Sequence, residues 1–557
     1  MLQENLICRD LHMMANAFKS TVIFVVLLIT LAGSADVGAA DVRGEVLRRA
    51  RSSFPSVEPE LSGSVVDSDL DTWIAETIQN GCVSGASACV IHDGRIVWIG
   101  SQGYANRAAQ ATAADTSLYM LASVSKTITG LALMQLWENG AFDLDDNVSR
   151  YLPFDLVNPG FPDDSITFRM LLAHTASIGD NTAVMSSTYV CGDTPIPLSQ
   201  YVRDYFVPGG LYYDPLYNFL TKAPGTTYRY ANHGIVLAGY LVEAITGIPF
   251  DRYCRDSIFL PLGMNETSWF LAGLDASNIA VPYACQAGVF DPYCLYGYAD
   301  YPAGSLRTSV RQLAAFLLAI SQHGRYEEAR VLDSATVDSM FTPQFPDIKT
   351  NQGLVWYCLN VAGHATWSHS GMDGGVSTIL GYCPESDLGA IVLTNGDKYL
   401  LTYSILYHLF TWAGEDADFD GHINMDDLCP FVPSGFADVD SDGIGDDCDN
   451  CLQEPNRWQE DTDGNGVGDA CELCCQGRVG SIDGQGGDEP TLSDIMALVD
   501  VLYISQDPDR IACMAEADIN QSSLQVVPDL SDLSLLDIMI LVDYLYVGNV
   551  TVLPACQ

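Results

Sequence analysis

Hydrophobic and polar residues alternate in ASACVIHDGRIVWIG, residues 86–100, around a central Asp93-Gly94 pair. A period of two is typical of a strand with one buried face, and Asp-Gly favours the tight turn of a hairpin. Further along, apolar residues between positions 124 and 137 recur with helical spacing, and Gly140 follows as a helix-ending residue. The pattern predicts a β-hairpin followed by a buried helix.

One serine and one lysine lie at the start of this predicted helix. Ser123 occupies its first turn and Lys126 follows one turn later, so the two side chains share a face. A serine hydroxyl becomes a nucleophile when a base takes its proton, and an amine buried in a core has a lowered pKa that suits this task. The helix N-terminus adds N–H groups for an oxyanion. An ordinary amphipathic helix with a surface serine and lysine is an equally open interpretation of this S-x-x-K pattern.

Two later segments decide between these interpretations. In YRYANHGIVLAGYLVEAITG, Tyr230 and Asn232 form a Tyr-x-Asn motif before a second apolar helix. In TWSHSGMDGGVSTILGYC, an H-x-G motif begins at His369 within strand-like sequence. With S-x-x-K, Y-x-N and H-x-G in this order, residues 68–412 resemble the serine β-lactamase and penicillin-binding protein superfamily, in its class C-like branch with the related esterases and D-amino-acid peptidases.

The resemblance implies an α+β fold of the β-lactamase/transpeptidase type, an α/β sandwich in which helices flank an antiparallel sheet, with an additional all-helical subdomain. It also implies an acyl-enzyme on Ser123, with Lys126 accepting the proton. Tyr230 would act with Lys126 as base and then as acid to the leaving group. Asn232 would hold an acyl amide of the substrate and orient Lys126. The backbone N–H groups of Ser123 and Met372 would form the oxyanion hole, and no catalytic cofactor is needed.

His369 stands where many β-lactamases carry a lysine. A histidine can donate a hydrogen bond to a substrate carboxylate or ester, but it need not carry charge. The replacement weakens recognition of the carboxylate common to β-lactams and D-Ala-D-Ala peptides, so an ester or peptide substrate is favoured over a β-lactam. The alternative function is a non-catalytic extracellular recognition or adhesion protein with this fold, and the complete set of motif residues argues against it.

The 557-residue chain has 71 acidic and 25 basic side chains, a formal charge of −46. Such a protein cannot neutralise phosphates, so a nucleic-acid partner is excluded. From Glu415 to the C-terminus there are 31 acidic and 3 basic residues, against 40 and 22 in the preceding 414 residues. The tail is therefore a distinct region, and a solvated acidic extension is its simplest interpretation before the residue pattern is considered.

Three twelve-residue loops repeat in this tail, with starts 22 and 23 residues apart. Each carries oxygen ligands at loop positions 1, 3, 5, 9 and 12 and glycine at position 6, as calcium requires. Cysteines recur in step with the loops, and the region resembles thrombospondin type 3 repeats, in which structural calcium and disulfides replace a hydrophobic core. The predicted calcium ligands are Asp416, Asp418, Asp420, Asn424, Asp427, Asp438, Asp440, Asp442, Asp446, Asp449, Asp461, Asp463, Asn465, Asp469 and Glu472.

The two ends of the chain have patterns of their own. An apolar run of 11 residues at 22–32, followed by small residues, predicts a signal peptide that is too short to cross a membrane. Near the C-terminus, LSDIMALVDVLY recurs as LLDIMILVDYLY with nine of twelve positions identical, and this duplicated loop-helix unit resembles a dockerin. The resemblance implies a cohesin-like or cell-surface partner, although Gln485 and Gly487 replace the usual calcium ligands.

The predicted order is a signal peptide (1–40), a linker (41–64), a serine hydrolase domain (65–412), a calcium-binding stalk (415–475) and a small helical dockerin-like domain (476–557). No second apolar run of spanning length follows the signal, so we expect a protein without a membrane span that is secreted, periplasmic or at the cell surface. Its substrate is expected to be a small molecule, a peptide or an ester.

Cysteine number fits this compartment. Removal of Cys8 with the signal leaves 16 cysteines, an even number as expected for disulfides. Short separations favour bridges between Cys82 and Cys89 and between Cys285 and Cys294, although spacing does not fix the pairing.

Overall fold

The computed structural model describes residues 70–327, 329–416, 422–430, 432, 437–459, 467–468 and 470–471. The predicted signal peptide, linker and dockerin-like region lie outside the described residues. The chain folds into two units: the larger extends to Trp412 and the smaller begins at Ala413, with residues 95–97 grouped with the smaller.

The larger unit contains a seven-stranded sheet. Its strands are β1 (Gly85–His92), β2 (Arg95–Asn106), β3 (Ala111–Thr112), β12 (Tyr357–Val361), β13 (His364–Asp373), β14 (Val376–Cys383) and β15 (Leu388–Thr394). Their spatial order is β12-β13-β14-β15-β1-β2-β3, and the pairs from β12 through β15 to β1 are antiparallel. Short two-stranded ladders use β4 (Tyr119–Met120), β5 (Val190–Cys191), β6 (Tyr283–Gln286), β7 (Val289–Pro292), β8 (Tyr296–Gly297), β9 (Arg307–Thr308), β10 (Arg325–Tyr326) and β11 (Ala329–Arg330).

Helices cover the sheet and form a second layer. They are α1 (Leu70–Asn80), α2 (Ser125–Glu138), α3 (Phe168–Leu172), α4 (Thr182–Ser187), α5 (Leu198–Phe206), α6 (Asn232–Thr246), α7 (Phe250–Cys254), α8 (Val310–Ser321), α9 (Ser334–Met340) and α10 (Tyr399–Trp412). Helices α8 and α10 pack on the sheet, and α2 packs on α6. Every residue of β14 and β15 is buried, as expected for strands covered on both faces. The α+β fold predicted from the sequence is confirmed.

The local predictions near the start of the domain agree with the structure. The turn residues Asp93 and Gly94 have φ values of +46° and +74°, which suit a two-residue hairpin connection between β1 and β2. Helix α2 is buried from Ser125 to Leu136, and Gly140 has a φ of +74° just beyond its end. Both the hairpin and the buried helix are confirmed.

Two disulfides in the larger unit differ from the predicted local pairs. The structure joins Cys82 to Cys285 and Cys191 to Cys294, each with a Cα separation of 5.7 Å, and leaves Cys89 free and buried. The pairs Cys82–Cys89 and Cys285–Cys294 were therefore wrong. Cys89 lies within β1, where it is buried and pairs with Ile391 of the neighbouring strand, and Cys82 is bonded to Cys285 instead. The bonded partners come from segments that are distant in sequence.

In the smaller unit, two disulfides follow the cysteine recurrence seen in the sequence. Cys429 is bonded to Cys448 and Cys451 to Cys471, with sequence separations of 19 and 20 residues. From Ala413 onward, the described residues form turns, bends and irregular backbone, with neither a helix nor a strand among them.

Among the described residues, no single helix has the length and apolarity to cross a membrane. One bent pair, Asn232–Thr246 with Phe250–Phe259, meets those two criteria when its halves are combined.

Candidate active site

Ser123 lies on a sharp turn between β4 and α2. The turn Ala122–Val124 is a single 3-10 turn, and α2 begins at Ser125, so Ser123 precedes the helix instead of lying in its first turn. Ala122 has a φ of +46°, in the left-handed region that residues with a Cβ rarely occupy. Strain of this kind, immediately before a hydroxyl, is typical of functional positions.

Lys126 is fully buried and contacts Ser123 directly. Its Nζ donates to Ser123 Oγ at 2.7 Å and to the carbonyl oxygen of Ala303 at 2.6 Å. Burial lowers the pKa of Lys126 to about 7, although nearby carboxyl groups, first among them Asp180, oppose this change. A substantial fraction of Lys126 is therefore neutral near neutral pH and can accept a proton.

Tyr230 is the third group at Ser123. Its side chain is hydrogen-bonded to Ser123, and its ring centroid lies 5.1 Å from Lys126 Nζ. Burial raises the pKa of Tyr230 well above its ordinary value, and the bond to Ser123 only partly opposes this. The phenol thus stays protonated, which suits an acid. In this state the phenol can donate a proton, which differs from the role as a base that the resemblance implies for it.

Asn232 has a different partner from the one expected. Its Nδ2 and its backbone N–H both donate to Asp180 Oδ2, at 2.9 and 2.8 Å, and in the part of the chain that the structure describes no hydrogen bond joins it to Lys126. Asp180 also accepts from His233 Nδ1 at 2.8 Å and so caps the start of α6. Although burial raises the pKa of Asp180, these hydrogen bonds outweigh it and lower the pKa to about 2. The amide of Asn232 thus anchors α6.

Strand β13 passes beside Ser123. A Cβ on Gly371 would lie 2.3 Å from Leu121 O and 2.9 Å from Ser123 N, so only glycine permits this approach of two backbone segments. His369, two residues earlier, is 1% exposed, and its Nδ1 donates to the carbonyl oxygen of Ser370 at 2.9 Å. Burial and then the charge of Lys126 keep the pKa of His369 well below its ordinary value.

A cavity of about 350 Å³ opens at this point. Its lining residues are Ser123, Tyr230, Tyr357, His369, Ser370, Met372 and Tyr399. Four of the six catalytic residues predicted from the sequence line this cavity. Of the other two, Lys126 contacts the cavity-lining Ser123, and Asn232 is not among the lining residues.

Two tyrosines of the lining were missed in the sequence. The hydroxyl of Tyr357 accepts from the backbone N–H of Ser370 at 3.0 Å and lies 2.8 Å from Ser370 Oγ. Neither Tyr357 nor Tyr399 belongs to a motif, and only the sheet pairing brings β12 alongside β13. No signal in the sequence distinguished these two tyrosines from the others in the chain.

The second of the predicted calcium loops lies wholly within the described residues. One carboxylate oxygen from each of Asp438, Asp440 and Asp442 falls within 4.8 Å of the others. Asp440 Oδ2 is buried and accepts no hydrogen bond from any described residue. Burial and then the neighbouring carboxylates raise the pKa of Asp440. Clustered oxygens with an unsatisfied buried lone pair fit a hard divalent cation such as calcium.

Gly443 has a φ of +95°, which the sharp turn at the sixth loop position requires. Asp446 and Asp449 bind backbone and side-chain groups of the same unit: Val439 N–H donates to Asp446 Oδ1, and Cys451 N–H donates to Asp449 Oδ1. Of the first loop, the structure describes Asp416, Asn424 and Asp427. The other predicted ligands, Asp418, Asp420, Asp461, Asp463, Asn465, Asp469 and Glu472, lie outside the described residues.

Comparisons with known proteins agree with both regions. Residues 70–401 match the Beta-lactamase family, and residues 437–459 and 460–473 match the Thrombospondin type 3 repeat. Protein flp of Staphylococcus aureus (strain NCTC 8325 / PS 47) is 24% identical over 330 residues, which are 58% of this chain and 62% of flp. Penicillin-binding protein 4* of Bacillus subtilis (strain 168) is 32% identical over 202 residues, 36% of this chain and 40% of that protein. The chain thus spans about three fifths or less of these relatives.

Among solved structures, the octameric penicillin-binding protein homologue from Pyrococcus abyssi has the same fold, with a TM-score of 0.51 and 24% identity over 63% of this chain and 78% of that one. The chain therefore belongs to the Beta-lactamase family, a family of serine hydrolases, and carries C-terminal thrombospondin type 3 repeats, which are calcium-binding modules.

Proposed function

We propose that this protein is a secreted hydrolase that forms an acyl-enzyme on Ser123 and acts on an ester or a D-amino-acid peptide. The observation that carries the proposal is the 2.7 Å contact between Lys126 Nζ and Ser123 Oγ, because it joins a nucleophile to a base whose pKa is about 7. The cavity beside them has room for a small acyl group.

In the first half-reaction, neutral Lys126 takes the hydroxyl proton of Ser123 while Oγ bonds to the substrate's carbonyl carbon. The carbonyl electron pair moves to its oxygen, which the backbone N–H groups of Ser123 and Met372 stabilise. When the carbonyl re-forms, the bond to the leaving group breaks and Tyr230 gives that group a proton. The ammonium of Lys126 then reprotonates Tyr230, which leaves an acyl ester on Ser123.

In the second half-reaction, water attacks the acyl ester and gives one proton to Lys126. Ser123 leaves as the alcohol when it regains a proton from Tyr230, and Lys126 then returns that proton to Tyr230. The released acid completes the hydrolysis. No step requires a metal or an organic cofactor.

The choice of ester or peptide over β-lactam is supported by the absence of a lysine or arginine from the residues that line the cavity in the described chain. A fixed cation would attract the carboxylate that β-lactams carry. The lining is instead neutral and rich in tyrosine.

For the rest of the chain, we propose a hydrolase domain of residues 65–412 followed by a calcium-stiffened stalk of residues 415–475. The four disulfides found among the described residues, two in each unit, and the thrombospondin type 3 match support export to an oxidising compartment. The dockerin-like domain and its cohesin-like or cell-surface partner rest on residues 476–557 and stay predictions.

The decisive test is covalent labelling of the full chain with a fluorophosphonate probe. We expect one label per chain on the peptide that contains Ser123, and no label on Ser123→Ala. Ser370→Ala removes the other serine hydroxyl of the cavity and serves as the matched control, which should still be labelled at position 123. Labelling of Ser123→Ala would refute the assignment, and absence of labelling in the unaltered protein would favour the non-catalytic alternative.

A further inference from the structure

His369 occupies a position from which it can contact a substrate. On β13, side chains alternate between faces, so His369 shares a face with Gly371, whose backbone touches the Ser123 turn. The imidazole is 1% exposed, yet it lines the cavity that also contains Ser123. A ligand in that cavity would meet the ring of His369.

The hydrogen bond at Nδ1 fixes which nitrogen carries the proton. The partner of Nδ1 is the carbonyl oxygen of Ser370, at 2.9 Å, and a carbonyl can only accept. Nδ1 must therefore be the N–H group, and in the neutral ring Nε2 carries a lone pair. This reverses the expectation that His369 donates a hydrogen bond to the substrate through its free nitrogen.

The lone pair on Nε2 is unsatisfied within the protein. Nε2 is buried and has no hydrogen-bond partner among the described residues. Tyr230 and Tyr357, whose ring centroids lie 6.3 and 5.5 Å from that of His369, have other partners, since Tyr230 is bonded to Ser123 and Tyr357 to Ser370. A buried acceptor without a donor costs free energy, and a ligand that supplies the donor recovers it.

The charged groups of the site interact with one another and with other protein groups. Asp373 lies on the same face of β13, on the other side of Gly371, and close enough to Lys126 for their charges to interact. In the described part of the site, Lys126 is the cation, and its amine is committed to Ser123 and to the Ala303 carbonyl. A substrate carboxylate next to Nε2 would therefore face a lone pair on this nitrogen, whereas a substrate N–H or O–H group would form a hydrogen bond with it.

We propose that Nε2 of His369 is a hydrogen-bond acceptor for the substrate, which selects esters or amides that carry an N–H or O–H donor and disfavours those that carry a carboxylate. The proposal rests on the acyl-enzyme function proposed above and names its substrate class. It makes His369 a specificity-determining residue that contacts the substrate.

The tautomer can be measured without any substrate. Histidine-selective 15N labelling of the full chain, with the His369 signals assigned by their loss in His369→Leu, distinguishes a protonated nitrogen from one with a lone pair. We expect protonation at Nδ1 and a lone pair at Nε2. A proton on Nε2, or on both nitrogens at neutral pH, would overturn the proposal whatever the activity.

Selectivity is measured with pairs of phenyl esters that differ in one group, a carboxamide in one member and an isosteric carboxylate in the other. In p-nitrophenyl esters this group lies in the acyl part, and in substituted-phenyl esters it lies in the leaving group. In at least one pair we expect kcat/KM to favour the carboxamide by about tenfold or more, the scale of one hydrogen bond to a buried group. His369→Leu should abolish this preference for the carboxamide, and His369→Lys should reverse it in favour of the carboxylate.

His364→Lys is the matched control, because it adds the same charge at the far end of the same strand, and it should keep the ratio of the unaltered protein. The inference would be overturned if the unaltered protein preferred the carboxylate, or if the kcat/KM ratios did not change in His369→Lys. Nε2 of His369 would then have a structural role only. In that case fluorophosphonate labelling of Ser123 would still stand. Failure of labelling and of hydrolysis together would instead refute the hydrolase function, and this inference with it.

Discussion

The two units of this chain are stabilised in opposite ways. In the hydrolase domain, buried aliphatic and aromatic residues fill a core around the sheet, and even Lys126 is enclosed by it. From Ala413 onward, the buried residues that the structure describes include half-cystines and polar residues, such as Cys429, Asn424 and Asp427, and no leucine, isoleucine, valine or aromatic ring. The first unit lowers the pKa of an amine by excluding water, whereas the second raises the pKa of Asp440 by burial and by crowding of carboxylates.

This difference means that charge has a separate use in each unit. One unit needs a single neutral amine beside a hydroxyl, and the hydrophobic effect supplies that environment. The other concentrates negative charge that only a bound cation can balance. Changes that damage one unit should therefore leave the other intact.

The largest effect is expected from Lys126→Met. Loss of the base should lower kcat/KM for a p-nitrophenyl ester by about 10³-fold, within the usual range for a general base. The thermal transition of the domain should not fall in parallel, because methionine fills the space without a desolvated amine. Lys222→Met changes an exposed lysine and is the control, with unaltered kinetics. If Lys126→Met kept its activity, the base would have to be another group.

The pH dependence of the unaltered enzyme should follow Lys126. The amine must be neutral to accept a proton, and its pKa is about 7, so kcat/KM should rise through pH 7 and level off above it. At pH 5 about one molecule in a hundred has the neutral amine, which predicts activity about 100-fold below the plateau. A profile that is flat between pH 5 and 8 would contradict the lowered pKa.

Calcium removal should affect the stability of the two units differently. In the full chain, EDTA should lower or abolish the thermal transition of the repeats, because a site with calcium at 100 times its Kd gains about 2.7 kcal/mol from binding. Ester hydrolysis and the transition of the hydrolase domain should remain, since no predicted ligand belongs to that domain. Differential scanning calorimetry with and without calcium measures both. Loss of hydrolysis in EDTA would show that the units are energetically coupled.

A smaller effect is expected from Asp440→Asn. With calcium, loss of one charged ligand should weaken binding about tenfold in a calorimetric titration. Without calcium, the same substitution should raise the stability of the repeats, since it removes a carboxylate whose pKa is raised on folding and is therefore destabilising when ionised. For the same reason, the calcium-free repeats should become more stable as pH falls through the raised pKa. Equal stability of the two proteins in EDTA would exclude this repulsion.

Local patterns predicted much of this structure. The contact between Ser123 and Lys126 depends on one helical turn, and the calcium loop at Asp438 depends on twelve consecutive residues, so both were visible as spacings. The disulfide Cys82–Cys285 spans 203 residues, and the partner of Asn232 is Asp180, 52 residues away. No spacing encodes such pairs, because the three-dimensional packing of distant segments determines them.

The tyrosine-rich stretches show the same limit. The sequence alone leaves two interpretations for residues 201–217 and 283–301, which are rich in aromatic residues: they wall a substrate cleft, or they are loops packed on the core. Tyr201, Tyr205 and Tyr296 are buried in the protein, and the cavity is lined instead by tyrosines at 230, 357 and 399. Composition indicated abundant aromatic surface, but it could not show which rings would face a ligand.

The missing side chain at Gly371 has a practical consequence for library design. Because a methyl group there would overlap Leu121 O and crowd Ser123 N, a randomised library that includes position 371 would consist mostly of inactive clones. The neighbouring positions 370 and 372 line the cavity without that constraint. A library with residue 371 held as glycine and both neighbours varied would concentrate its diversity where it can change what the enzyme accepts.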